Sequence, residues 1–420
     1  MPRIEDNARD EHFWQAIAER YDLAPGPINL ENGYFGRMTR DVAQDYQRNI
    51  DFINRNNSVP VRQHFDTTQG LEIRDSLAGL LGVAPAGLAL TFCASDGLQS
   101  LIRNYNGLQT GDQLLISDLE YHSVEYAMRG VARQRGLEII EISHTHPATF
   151  ESLVASYRQA FERNPRIKLM ALTHVTHRTG LVMPVEAIVA AAKEHGVDVI
   201  LDGAHALGQI ELDLPALGVA FAGFNLHKWI GAPLTLGLMY IDPQRLGDID
   251  PDMGNERYPE PDVRNRAVYG TVNIPAWLTL TKVLQEHHEM GGARGKGARL
   301  NYLRNLWVSE ARKIEGIEVL VNDDPRLYCA ITSLRFTHVQ DQQPMVDRLL
   351  KDYNLFTVAR NGSACGSCIR VTVGFATTLD DINQLVRALR ELSQAHTHNL
   401  VGAGIFQAKK RCADQAHQKP

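Results

Sequence analysis

Lys228 stands in the run Phe224-Asn225-Leu226-His227-Lys228-Trp229, after an apolar stretch of strand length and before Gly231-Ala232-Pro233. A lysine delivered by a strand end into a cleft can have its pKa lowered and its amine held against an aldehyde, the chemistry of a Schiff base. Lysine alone is more often a solvated surface residue, so the assignment rests on its neighbours. Upstream, Val199-Ile200-Leu201-Asp202-Gly203-Ala204-His205 ends a second apolar run in a carboxylate. An anion there holds a pyridine nitrogen protonated and makes the ring an electron sink; the plainer role is capping the next turn. His205 either reaches a ring oxygen of the same cofactor or is a satisfied, partly buried histidine.

A third stretch, Thr91-Phe92-Cys93-Ala94-Ser95-Asp96-Gly97-Leu98-Gln99, passes from a strand through small polar residues into a helix. Free amides at a helix start, with the Ser95 hydroxyl, form a receptor for a phosphate dianion. An ordinary N-cap is the alternative. The Asp96 carboxylate suits such a site only if it turns back to cap the helix, so the expected phosphate donors are Ser95 and the amides of Ala94 and Asp96. Together the three stretches describe a cradle for pyridoxal 5'-phosphate (PLP), with Lys228, Asp202 and Ser95 holding its aldehyde, ring nitrogen and phosphate.

The elements that must position these groups follow from hydrophobic patterning. Strand-length runs at Gly87-Cys93, Asp112-Ser117, Glu138-Ile142, Ile167-Thr173, Val197-Asp202, Val219-Phe224 and Leu234-Ile241 alternate with helical patterns at Gly97-Asn106, Val124-Arg135 and Val185-His195. This rhythm predicts an α/β fold: a mostly parallel, seven-stranded type of sheet sandwiched by helices. In such sheets ligands bind beyond the carboxyl ends of the strands, where Asp202 and Lys228 fall. After a polar, proline-bearing stretch at Asp248–Asp262, helical patterns run from Ile274 to Ile314, broken at Gly291-Gly292. Strand-like Tyr328-Phe336, Leu355-Ala359 and Cys368-Gly374, with helices at Pro344-Lys351 and Leu379-Gln394, then predict a smaller α+β domain.

Composition bounds the rest. The 420 residues are 44% hydrophobic and 22% charged, values typical of globular chains. A net charge of -6 with interspersed signs leaves no footprint for nucleic acid, and no stretch is apolar enough to span a membrane. Five cysteines, an odd number, suit a reducing compartment, so the cytoplasm is the expected location.

With these residues in view, the chain resembles fold-type I PLP enzymes of the class V aminotransferase family, in the isopenicillin N epimerase-like branch and more distantly the cysteine desulfurases. The likeness runs from Asn29-Leu30-Glu31-Asn32-Gly33-Tyr34-Phe35-Gly36 to Ile369-Arg370-Val371-Thr372-Val373-Gly374-Phe375. It implies Lys228 as the PLP lysine, Asp202 as pyridinium partner, His205 near the ring oxygen, and Ser95, Asn225 and His227 around the cofactor. It also implies a homodimer whose Gly270-Thr271 touches the phosphate held by the partner subunit. Within Asp118-Leu119-Glu120-Tyr121-His122, Tyr121 is the expected ring-stacking residue and His122 its competitor. His177, in Thr173-His174-Val175-Thr176-His177-Arg178-Thr179-Gly180, stands where desulfurases have asparagine, and can donate to the ring oxygen or to the substrate carboxylate, or move a proton. Arg370 is the expected partner of the substrate α-carboxylate, with Tyr34 and Arg360 also on the substrate side.

The implied division is an N-terminal arm (1–36) joining the small domain, a large PLP-binding domain (37–290), a small C-terminal domain (291–403) and a flexible tail (404–420). The expected activity is chemistry at the Cα of an amino acid, led by β-elimination or carbon-sulfur cleavage. Transamination or epimerisation are alternatives, as is a non-catalytic PLP-fold binding protein. Arg360-Asn361-Gly362-Ser363-Ala364-Cys365 echoes the desulfurase nucleophile segment, but four residues between Cys365 and Arg370 make a shorter link than desulfurases use. A metal role for Cys365 and Cys368 lacks a second ligand pair, and no metal is expected.

Overall fold

The computed structural model describes residues 7–267, 270–362 and 365–394, apart from the side chains of residues 66 and 67. The tail expected at 404–420 lies outside the described residues. In chain order the strands are β1 (Ile28–Asn29), β2 (Leu88–Thr91), β3 (Gln113–Ser117), β4 (Glu138–Ile142), β5 (Ile167–Thr173), β6 (Asp198–Asp202), β7 (Phe221–Asn225) and β8 (Gly237–Ile241). They continue with β9 (Ile317–Val319), β10 (Ile331–Phe336), β11 (Leu355–Phe356), β12 (Val358–Arg360) and β13 (Cys368–Thr372).

Seven of these form one sheet in the order β2-β8-β7-β6-β5-β3-β4. Only β8 runs antiparallel to its neighbours, so the mostly parallel sheet expected from the patterning is present. Its strands alternate side chains between two apolar layers: Leu115 and Leu201 enter one core, Leu114, Ile116 and Ile200 the other. Because helices cover both faces, the strands read as nearly continuous apolar runs. In register, Thr173, Asp202 and Gly223 stand side by side across β5, β6 and β7, which brings the carboxyl-end polar residues into one row.

A second, smaller sheet is antiparallel, in the order β12-β13-β10-β9. The run Leu355-Ala359, expected as one strand, divides in two: Leu355 and Phe356 pair in parallel with β1, whereas Val358 to Arg360 pair with β13. The division reflects two pairing partners far away in the chain, which local propensity does not encode. The helices at 94–104 and 122–135 begin before their apolar periodicity does, at Ala94 and His122. Helical turns at 40–56, 61–69 and 70–81 are additions to the elements read from the sequence.

The two sheets meet at the loop after β5. Gly180 has φ +77°, and a Cβ there would lie 1.9 Å from the Ile331 carbonyl oxygen at the start of β10. Backbone cannot yield as a side chain can, so Gly180→Ala carries both left-handed strain and a clash. The variant is expected to lose about 2 kcal/mol or more, seen as a lower urea midpoint with an unchanged denaturant slope.

Candidate active site

β7 ends at Asn225, and the chain turns at once to present Lys228 in a cleft above the carboxyl ends of β5, β6 and β7. Two contacts hold that turn from outside. The Gly36 amide donates to the His227 carbonyl at 2.8 Å, and a Cβ on Gly36 would meet the Lys228 carbonyl oxygen at 1.9 Å, so this approach needs glycine. From the helix at Gly292–Ala311, the buried Lys296 ammonium donates to the Trp229 carbonyl.

Lys228 Nζ lies 3.0 Å from His205 Nε2. Burial pushes the Lys228 pKa down to about 8, partly opposed by Asp202 and reinforced by Arg370. His205 is buried, and desolvation with the Lys228 charge holds its imidazole neutral. Its Nδ1 has no partner among the described residues. Asp202 is 3% exposed and accepts from the Ala204 amide at 2.9 Å, while burial raises its pKa. A protonated ring nitrogen would satisfy that carboxylate and relieve its desolvation.

The helix at Ala94–Asn104 opens beside this pair with Cys93 at its N-cap and no side-chain cap. Of the expected phosphate donors, the Ala94 amide is already taken: it donates to Asn225 Oδ1 at 2.8 Å. Asn225 therefore fixes the helix start to β7, a register that a free-amide reading of the motif omitted. The amides of Ser95 and Asp96 remain as donors of the helix start. The Asp96 carboxylate turns back and accepts from the Phe92 amide at 3.1 Å, away from the cleft. Ser95 Oγ is 2.9 Å from Ser123 Oγ, and His227 is fixed through Nδ1, 3.0 Å from the Leu236 carbonyl oxygen. A helix start with free amides, the buried Asp202 carboxylate, an imidazole nitrogen without a partner among the described residues and a low-pKa amine fit the phosphate, ring nitrogen, ring oxygen and aldehyde of PLP.

Tyr121, His122 and His177 line the same cleft. The Tyr121 and His122 rings are 4.1 Å apart, and Tyr121 meets His177 edge-on at 5.1 Å. His177 is kept neutral by desolvation and by the neighbouring Arg178, Arg370, Arg360 and Lys228 charges. Tyr34 is also at the cleft, whereas Gly270 and Thr271 are exposed and do not line it.

Around Arg370, the arginine expected to meet a substrate carboxylate, the arrangement differs from a free arginine fork. Arg370, 2% exposed, donates from Nε to Glu31 at 3.2 Å, from a terminal nitrogen to the other Glu31 oxygen, and to the His177 carbonyl. Arg360 approaches the same Glu31 at 3.4 Å. Glu31 was absent from the residues read as functional; it reaches the site because β1 pairs with β11 and the Glu31–Thr372 bridge then lays the chain beside the end of β13. Cys365 does not line the cleft. It is buried in a small cluster with Leu320 and Cys368, and its motif neighbours Ser363 and Ala364 lie outside the described residues.

Another residue missed by pattern reading is Glu120, fully buried below Thr173 and Asp202. It accepts from the hydroxyls of Ser117 and Thr173. Burial, aided by the Asp202 charge, pushes its pKa up to about 8. Its motif was legible, but its burial depends on the packed loop. A folded-state pKa raised above the unfolded one gives stability that is fully present below about pH 4.5 and is lost as pH rises through about 8. Glu120→Gln should remove this dependence, so denaturant midpoints at pH 5 and pH 8 are expected to shift in favour of the variant at the higher pH.

Comparison with known proteins agrees with this geometry. The sequence model described as aminotransferase class-V matches residues 41–385. Isopenicillin N epimerase of Streptomyces clavuligerus is 26% identical over 403 residues, covering 90% of this chain and 98% of that protein. A probable cysteine desulfurase of Vibrio cholerae serotype O1 is 25% identical over 342 residues, or 77% of this chain and 83% of that protein. Among solved structures, a mutant of C-DES with glycine covalently linked to its PLP cofactor superposes with a TM-score of 0.77 at 20% identity, covering 91% of this chain and 99% of that one. The fold is thus that of fold-type I PLP enzymes, and with the family match spanning most of its length the chain belongs to the class V aminotransferases, a family of PLP-dependent enzymes.

Proposed function

We propose that the chain binds an α-amino acid at Lys228 and removes its Cα proton, leading to β-elimination, with carbon-sulfur cleavage on a specialised amino acid as the foremost case. The observation that carries this reading is the 3.0 Å approach of Lys228 Nζ to His205 Nε2, beside a buried Asp202. PLP, when bound, supplies an electron sink for the charge left at Cα. Lys228 Nζ would be its point of attachment and, once displaced there by the substrate amine, the base that takes the Cα proton. An amine with a pKa near 8 is partly unprotonated near neutral pH, as that task requires.

Asp202 would keep the ring nitrogen protonated, and Ser95, the Asp96 amide and His227 would hold the phosphate, with Asn225 setting the helix start. Tyr121 would stack on the ring, with His122 as its neighbour in the cleft. His205 and His177, both held neutral, donate toward the ring oxygen or move a proton at the departing group. Tyr34 and Arg360 border the substrate beside Arg370, the α-carboxylate partner. The mouth of the cleft carries exposed Tyr34 and Phe35 at 69% and 43% and Leu234 at 48%, which supports burial by a second copy and a homodimer with Gly270-Thr271 on the partner's phosphate. The domain division at residues 36, 290 and 403 and a cytoplasmic location belong to the same reading.

Cys365 lies off the cleft, which speaks against a cysteine-dependent desulfurase. Epimerisation or transamination is the second reading, favoured by the likeness to isopenicillin N epimerase. The test incubates PLP-loaded enzyme with cysteine, cysteine S-conjugates and common amino acids while following pyruvate, sulfide and keto acids. Pyruvate from an S-conjugate is the expected product. Lys228→Ala should lose the near-visible absorption band and at least roughly 100-fold in turnover. Sulfide from free cysteine that vanishes in Cys365→Ala would overturn the assignment. His177→Asn is expected to lower turnover by roughly 100-fold while leaving the absorption band in place; full activity would remove any proton-transfer role for His177.

A further inference from the structure

Among the described residues, four cationic side chains line the cleft, Lys228, Arg178, Arg360 and Arg370, against one lining carboxylate, Asp202. Asp202 and Lys228 stand at the ring end. Three guanidinium groups therefore remain on the substrate side, and the carboxylate that touches any of them is Glu31, which is shared by Arg370 and Arg360. Arg178 gives hydrogen bonds to neutral carbonyls, of Asp118 at 2.9 Å and Gly362 at 3.0 Å. Arg360 is only loosely engaged among the described residues: its link to Glu31 is 3.4 Å long, and its buried Nε has no partner there. One α-carboxylate would balance only part of this charge.

The sheet places the two strand arginines at a defined spacing. In the antiparallel pair β12 and β13, Arg360 stands opposite Cys368 and Arg370 opposite Val358. They are thus diagonal neighbours on one face, roughly 7–8 Å apart at the backbone, a separation long side chains span. Two anionic groups joined by a short carbon chain match that pair. An uncharged side chain would leave the partly exposed Arg360 guanidinium, 29% accessible, with no anion but the shared Glu31 among the described residues, the situation by which a polar site rejects an analogue.

We propose that the cleft selects amino acids whose side chain ends in a second, carboxylate-sized anion on a short linker, held by Arg360 while Arg370 holds the α-carboxylate. This rests on the amino-acid chemistry assigned above to Lys228, and the test separates the two. Calorimetric titration of the PLP-loaded full chain compares succinate with butyrate, which share a carbon count and differ by one carboxylate. Succinate is expected to bind at least about tenfold more tightly, the effect of one charge-assisted hydrogen-bonded pair. Arg360→Met should erase the difference while the near-visible band of the bound cofactor stays intact. Arg360→Lys, which keeps the charge but loses the planar fork, should retain part of it and serves if the methionine variant does not fold. Equal affinity for the two acids, or a succinate preference that survives both variants, overturns the proposal. Absence of the cofactor band from the unsubstituted chain instead overturns the role of Lys228.

Discussion

An amine must be kept out of water without being silenced, and most of the architecture around Lys228 answers that requirement. Burial disfavours the ammonium and lowers its pKa, while Asp202 pulls the other way, so the group settles near 8. The balance holds only if the loop after β7 cannot relax outward. Gly36 closes against its carbonyls on one side and Lys296 holds Trp229 from the other. Asn225, the last residue of β7, fastens the helix that starts at Ala94 to the same strand through the Ala94 amide. The amine and the helix start are thereby tied to β7, beside β6 and its Asp202.

The substrate side has a different logic. Arg370 comes from β13, Arg360 from β12 and Glu31 from the N-terminal segment, so the small sheet and the start of the chain build it together. Asn32 fastens that segment by donating to the carbonyls of Asn29 and Thr372, each at 2.9 Å. A buried ion pair of this kind contributes less to stability than its Coulomb attraction suggests, because both groups lose water. Its effect is positional: Glu31 orients the Arg370 plane and leaves Arg360 only loosely engaged.

Much of the site's cofactor end was legible from the chain. Asp202 and Lys228 each follow an apolar run long enough to be a buried strand, and parallel sheets put such strand ends in one row, so their meeting follows from periodicity and topology. The spacing of Glu138–Ile142 and Ile167–Thr173 as strands was equally plain. Helix starts were less so, because Ala94 and His122 enter their helices through contacts and loop geometry before the apolar period begins. The divided strand at 355–360 and the burial of Glu120 were not visible, since both depend on partners distant in sequence.

Residue order alone determined the fold class, the cofactor lysine candidate and its ring partner, because hydrophobic period and strand-end chemistry are local properties of the chain. Tertiary structure decided which amides at residues 94–96 stay free, that Cys365 lies away from the cleft, and that Arg370 meets Glu31 instead of standing open. Each of these depends on a hydrogen bond, ion pair or burial between segments far apart in sequence. Such contacts arise only when the N-terminal segment, the large sheet and the small sheet pack against one another.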